Sequence, residues 1–266
     1  MKNINATSEL RSAILPAPLC EDLKKLRLKS WATSSDSDLI NLLPQQQAMI
    51  VELLSKWCAA EIANRKTAQI ESRIRAAKFN RIQTVDSFDF TFSKSTQAAQ
   101  KNYIALHNSI NPERPPSAVF TGTAGAGKTH LARALGYRAC QLAMSTMFIT
   151  AGDMVNLLVQ AQKTFHLESE LRKYRRPQVL IIDELGYVTL DSQASNLFFQ
   201  VISSRHDQGL GTITTTNIAF GKFNQIFAND AIAHAIVDRL VNEAEVFYME
   251  GPSYREHQRK QKKNLS

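Results

Sequence analysis

Lys128 and Thr129 stand side by side at the end of a run of small residues, Gly122, Thr123, Ala124, Gly125, Ala126 and Gly127. The run satisfies the pattern G-x-x-x-x-G-K-[ST] in full, and the chemistry of that pattern is phosphate binding. Its glycines let consecutive backbone N–H groups turn inward around an anion. Lys128 then reaches the β- and γ-phosphates of ATP, Thr129 offers its hydroxyl to Mg²⁺, and the start of a following helix adds its positive dipole end. His130 comes next, either as a further nucleotide contact or as an ordinary residue of the helix's first turn.

Asp183 and Glu184 close the aliphatic run Val179, Leu180, Ile181, Ile182. Two carboxylates at the end of a buried strand need a cation or a polarised water to justify their place. Asp183 is the natural Mg²⁺ partner of Thr129, and Glu184 is suited to orient and deprotonate an attacking water. The pair favours an ATPase over a small-molecule kinase. Asn217 ends a β-branched stretch, 212–216, and is either a turn residue or a third polar group where strand ends meet the phosphates.

Positioning these groups requires strands that stop at the site and helices that start there. Short apolar strands are expected at 117–121, 147–150, 179–183 and 212–216, alternating with helices at 127–142, 154–163 and 195–208. Continuous apolar strands alternating with helices predict a parallel sheet covered on both faces. Ahead of this α/β core, apolar residues at helical spacing predict helices over 19–28, from Ile50 to about Ile74, and over 95–108. The polar cluster 33–38 reads as a capping loop. Phe88, Phe90 and Phe92 alternate as in an extended segment. The expected organisation is a small all-helical domain over 1–85 with a poorly ordered leader to about residue 20, an ATPase domain over 86–250, and a basic tail over 251–266.

The chain carries 32 basic and 24 acidic residues in 266. Six basic and two acidic residues fall in 61–81, five and one in 251–266, and the remainder balances at 21 against 21. Charge concentrated in two segments favours an anionic polymer as partner, although a basic helix can also be a solvated face. Arg65, Lys66, Arg73, Arg75 and Lys78 are the candidate contacts to duplex DNA. Cys20, Cys58 and Cys140 are widely spaced and form no CxxC pair, which argues against zinc or a disulfide scaffold and fits a reducing, cytoplasmic setting. No apolar run approaches the ~18 residues of a membrane span.

Several stretches together resemble the IstB/DnaC group of AAA+ ATPases, and within it the IstB-like helpers of bacterial insertion sequences. They are GTAGAGKTHLARA from Gly122, LIIDELGYVTL from Leu180, TITTTNIAF from Thr212, AIVDRL from Ala235 and GPSYR from Gly251. The resemblance is firm over about 84–255 and looser over 19–83. It implies an AAA+ core, with Asn217 as a sensor of the γ-phosphate or the attacking water, and with Asp86–Phe92 lining the adenine pocket, although its aromatics suit the core equally. It implies that Arg239 of the DRL segment is an arginine finger acting on ATP of the neighbouring subunit. Residue types alone leave a surface salt bridge with Asp238 or Glu243 as the alternative for Arg239. The resemblance further implies an ATP-dependent homo-oligomer that binds target DNA and stimulates a partner transposase, or, as in DnaC, loads a replicative helicase. Two departures stand out. The usual G-P-P-G opening is Gly-Thr-Ala-Gly, and no second-sensor arginine in a lid is evident, which implies that ATP binding depends on neighbouring subunits.

Overall fold

The computed structural model describes residues 15–79 and 81–263. The chain divides into two compact units, Met1–Gln69 and Ile70–Ser266. The division falls inside a long helix, earlier than the boundary expected at 85.

The first unit holds α1 (Ala17–Lys25), α2 (Lys29–Leu39) and most of α3 (Pro44–Ala76). Leu19, Leu23 and Leu26 recur at helical spacing and pack with Leu15, Leu39 and Cys58 into a small core. Residues 1–14 of the expected leader lie outside the described residues, but Leu15 is already buried. The polar cluster 33–38, expected as a loop, lies within α2. Burial of Leu39 at the helix end and of the facing α1 leucines outweighs its weak intrinsic propensity. Thr33 keeps its hydroxyl satisfied by donating to the carbonyls of Lys29 and Ser30.

In the second unit α4 (Lys94–Ser109) leads to β1 (Ala118–Gly122), α5 (Lys128–Gln141), β2 (Thr146–Thr150), α6 (Ala151–Lys163), α7 (Leu167–Arg175) and β3 (Val179–Leu185). After these come α8 (Ser192–Asp207), β4 (Gly211–Thr216), α9 (Asp230–Val241), β5 (Glu245–Met249) and α10 (Tyr254–Lys263). The five strands form one parallel sheet in the order β2-β3-β4-β1-β5. Alternation along the strands divides the core in two. Val119, Leu180 and Ile182 pack on one face with residues of α6, α7, α8 and α9. Ala118, Phe120, Val179, Ile181 and Ile213 pack on the other with α5 and Tyr103 of α4. Every strand is parallel, so all C-terminal ends emerge at one edge, and a site assembled from strand ends must lie there.

Three departures from expectation have local causes. Residues 84–92 form two 3₁₀ turns, Val85–Ser87 and Phe90–Phe92, rather than an extended segment. Side chains supply their hydrogen bonds: Ser87 Oγ lies 3.3 Å from Thr84 N, and Asp89 accepts from Thr91 N at 2.9 Å. The helices expected at 154 and 195 start earlier, at Ala151 and Ser192, behind the N-caps Thr150 and Asp191. Most of the expected C-terminal tail is helix α10, whose Tyr254 ring stands edge-on to Phe92 at 4.8 Å.

Arg205 is wholly buried, yet among the described residues no carboxylate lies within ion-pair distance. It donates instead to Tyr174 O at 2.7 Å, Pro177 O at 2.9 Å, Gly211 O and Thr212 Oγ1 at 3.1 Å. One guanidinium thus joins the end of α7, the lead into β3 and the start of β4. Burial pulls its pKa down to about 9, which still leaves it charged at neutral pH. Replacing Arg205 by Met leaves those acceptors buried without donors, at a cost of about 3 kcal/mol or more. Urea unfolding of Arg205→Met should show that loss as a lower midpoint; an unchanged midpoint would mean that water or local rearrangement satisfies the carbonyls.

Candidate nucleotide-binding site

A cleft of about 660 Å³ opens at the C-terminal edge of the sheet, lined by 124–130 of the glycine loop, Glu184, Thr215, Thr216 and Asn217. Its remaining walls are Arg81, Gln83, Ser87, Phe88, Asp89, Phe92, Thr96, Arg133, Tyr187, Tyr254 and Arg255. Gly122 ends β1, and 123–127 turn into α5, where Gly127 is the N-cap at φ 94°. Lys128 Nζ donates to the carbonyls of Gly122 and Thr123, both at 2.7 Å, so the ammonium sits folded back on its own loop. Burial holds its pKa below the ordinary lysine value, opposed by the negative charge of Asp183. A phosphate in the loop would offer that ammonium a stronger acceptor than a carbonyl.

Asp183 is buried at 3% exposure. Its Oδ1 accepts from Thr129 Oγ1 at 2.9 Å and from Thr215 Oγ1 at 2.5 Å. Among the described residues no lysine or arginine lies within ion-pair distance of it. A buried carboxylate beside a hydroxyl, without a cationic partner, is a donor set that fits a hard divalent cation. No group of three or more His, Cys, Asp or Glu that could hold a metal occurs among the described residues, so waters and phosphates would complete such an ion's shell.

Glu184 is exposed and stands in the left-handed region at φ 61°, followed by Gly186 at φ 118°. Its N–H donates to Thr215 Oγ1 at 2.9 Å, and the β3–β4 register shifts between Ile182 and Leu185. A non-glycine residue there stores strain of about 1–3 kcal/mol. The same irregularity turns Asp183 inward and Glu184 toward the cleft. Thr215 holds both residues, a function hidden in the sequence among consecutive threonines. Asn217 lines the cleft, and its Oδ1 lies 2.8 Å from where a Cβ on Gly186 would stand.

The chain's far end closes the cleft. Thr123 Oγ1 donates to Gly251 O at 3.0 Å, Tyr254 N donates to Gly125 O at 3.1 Å, and a Cβ on Gly125 would meet Ser253 Oγ at 2.3 Å. Arg255 therefore lines the site, its charge depressing the pKa of both Lys128 and Arg133 behind the larger effect of burial. Arg255, on α10, thus adds a cation to the cleft wall beside Lys128 and Arg133.

Arg239 lies elsewhere, on α9. Its guanidinium stands 4.9 Å over the Phe199 ring, with Nε donating to Ser203 Oγ at 3.3 Å. Neither Asp238 nor Glu243 pairs with it among the described residues. Of the candidate DNA contacts, Arg65 and Lys66 fall in the first unit, and Arg73, Arg75 and Lys78 in the second, Lys78 in the turn that follows α3. Arg65 is engaged internally, bonding Glu61 at 2.7 Å and Leu26 O at 3.1 Å, while Arg75 pairs with Glu71 at 3.6 Å.

A third basic segment escaped the charge count. Residues 163–176 carry five basic and two acidic side chains, an excess hidden when averaged over the neutral remainder. Both acids are tied up: Glu170 is buried against Tyr174 and Lys173, and Glu168 pairs with Arg175 at 3.5 Å. Arg172 and Arg176, one turn apart, stay exposed, and Phe165 at the α6–α7 turn is 96% exposed.

The sequence profile of the family described as IstB-like ATP binding protein matches residues 21–262. The chain belongs to this family. It is 36% identical over 238 residues to an insertion-sequence IS232 protein of Bacillus thuringiensis subsp. berliner, covering 89% of this chain and 93% of that one. The IS21 counterpart from Pseudomonas aeruginosa is 28% identical, with 88% and 86% covered. The names of both describe ATP-binding proteins. Among solved structures, the DnaC helicase loader superposes with a TM-score of 0.54 at 20% identity, over 62% of this chain and 96% of that chain. AMPPCP-bound DnaA from Aquifex aeolicus gives 0.56 at 16%, over 71% and 56%. The IstB-like chain therefore has the AAA+ fold of DnaC and DnaA, and no helix among its described residues is long and apolar enough to cross a membrane.

Arg255→Ala removes a cation that the fold holds at the loop without disturbing the sheet. Titration calorimetry should show ATP affinity reduced about tenfold or more, the scale of a charged hydrogen bond, with AMP affinity little changed. Equal losses for ATP and AMP would place Arg255 away from the terminal phosphates.

Proposed function

We propose that this protein is a Mg²⁺-dependent ATPase that assembles on duplex DNA in its ATP-bound form and assists a partner transposase. The observation that carries the ATPase reading is the buried Asp183 carboxylate, shared by Thr129 and Thr215 beside the lysine-bearing loop. In this reading the loop amides and Lys128 bind the phosphates, and Thr129 and Asp183 hold Mg²⁺, which neutralises charge on the β- and γ-phosphates when bound. Glu184 takes a proton from the attacking water, and Asn217 orients that water or the γ-phosphate. Arg239 acts across a subunit interface on the neighbour's ATP, which makes hydrolysis depend on assembly.

Duplex DNA as partner is supported by the basic segments, including Arg172 and Arg176, since phosphate contacts supply affinity without sequence selection. Family membership favours a transposase over a replicative helicase as protein partner; the likeness to DnaC is one of fold.

Glu184→Gln should bind ATP as wild type does, hydrolyse it at least about a hundredfold more slowly, and remain on DNA as a trapped assembly. Steady-state phosphate release and gel filtration with ATP measure this; wild-type turnover in Glu184→Gln would sink the assignment. Neutralising Arg172 and Arg176 together should lower the slope of log K against log salt for ATP-dependent duplex binding by up to about 0.9 per contact. Neutralising Arg73, Arg75 and Lys78 tests the candidates at the end of α3 and just beyond it in the same titration. An unchanged slope in both variants would assign these surfaces to a protein partner.

A further inference from the structure

His130 makes a contact that neither reading of the sequence anticipates. Its Nε2 lies 2.9 Å from Thr84 O and 3.2 Å from Ser87 Oγ. The ring stands edge-on to Phe88, with centroids 5.1 Å apart. Thr84 and Ser87 bracket the 3₁₀ turn Val85–Ser87 and close on each other through Ser87 Oγ and Thr84 O at 2.8 Å. Phe88 rests on the glycine loop itself, since a Cβ on Gly127 would come within 2.5 Å of Phe88 Cε2. One imidazole therefore fastens this turn to the first turn of α5, directly beside the phosphate-binding residues.

The cleft lining combines two chemistries. Lys128, Thr129 and Glu184 supply charge and a hydroxyl, whereas Gln83, Ser87, Phe88, Phe92 and Tyr254 supply aromatic faces with a few amide and hydroxyl groups. Aromatic faces with a few amide and hydroxyl groups suit a planar heterocycle, and a dry, shaped wall discriminates only when its backbone is fixed.

We propose that His130 is the positioning residue for the nucleobase: it pins the turn 84–88 to α5, so that the base-binding wall stands at the register set by the phosphate loop. The proposal rests on the ATP reading of the cleft. His130 itself need not touch the nucleotide. What it supplies is an N–H at the far end of a rigid ring, reaching across to the carbonyl of Thr84. The side-chain nitrogen of glutamine can occupy a similar place, whereas that of asparagine is too close to the backbone to reach.

The test compares ATP, GTP and inorganic tripolyphosphate, each titrated calorimetrically with Mg²⁺ into the full chain and into His130→Ala, His130→Gln and His130→Asn. His130→Ala should lose about tenfold in ATP affinity, the scale of one hydrogen bond with its dependent contacts. Tripolyphosphate affinity should stay within about twofold and the ATP-to-GTP preference should shrink. His130→Gln should recover most of the loss, and His130→Asn should not. Equal loss for ATP and tripolyphosphate in a variant that melts as wild type would overturn the proposal, placing His130 with the phosphate loop. Unchanged ATP affinity, or glutamine no better than asparagine, would also overturn it. If His130→Ala does not fold, the glutamine–asparagine comparison decides alone. A wild-type chain that binds tripolyphosphate as tightly as ATP would instead refute the ATP reading beneath it.

Discussion

Asp183 is a carboxylate removed from water at the end of a central strand, and the fold gives it two hydroxyl donors and no ion-pair partner among the described residues. Two neutral hydrogen bonds offset only part of the cost of burying a charge. The site is therefore built at a deficit, and a cation bridging Asp183 to phosphates would remove it. Much of the surrounding geometry serves to keep that carboxylate in place. Thr129 approaches from the first turn of α5, Thr215 from β4, and the parallel sheet brings both to one edge.

The strain at Glu184 follows from the same arrangement. A regular strand would send successive side chains to opposite faces of the sheet. At the strand end the left-handed backbone of Glu184 and the following glycine break that alternation, and the Thr215 hydroxyl accepts the resulting N–H. A single threonine thus binds the buried carboxylate of Asp183 and the backbone of Glu184. Opposite them, turn 84–88 and the start of α10 close over the glycine loop. The cleft is consequently formed from parts far apart in sequence around one short strand–loop–helix.

What the sequence made legible depended on how local the cause was. The loop 122–129, its flanking β1 and α5, and the aliphatic β3 announce themselves through contiguous residue types. Strand β5 does not, because at the sheet edge it alternates exposed and buried residues over only five positions. Helix α7 was missed since its apolar face is only Leu167, Leu171 and Tyr174 among charges. Arg205, Thr215 and Arg255 owe their positions largely to groups distant in the chain, and nothing in their immediate neighbours distinguishes them. The segment 84–92 misled in the opposite direction: alternating phenylalanines mimic a strand, while capping side chains at Thr84, Ser87 and Asp89 decide for turns.

Since the account turns on the deficit at Asp183, the most direct measurement is the effect of Mg²⁺ on ATP affinity in wild type and in Asp183→Asn. Asparagine keeps the shape and can still accept from Thr129 and Thr215, but carries no charge to share with a cation. In the wild type, adding Mg²⁺ should tighten ATP binding by about tenfold or more, the scale of a charge-assisted contact. In Asp183→Asn that gain should vanish, with metal-free affinity equal to or better than wild type because a phosphate-repelling charge is gone. An undiminished Mg²⁺ effect in Asp183→Asn would contradict the account, and the buried carboxylate would then have to be explained by the fold alone.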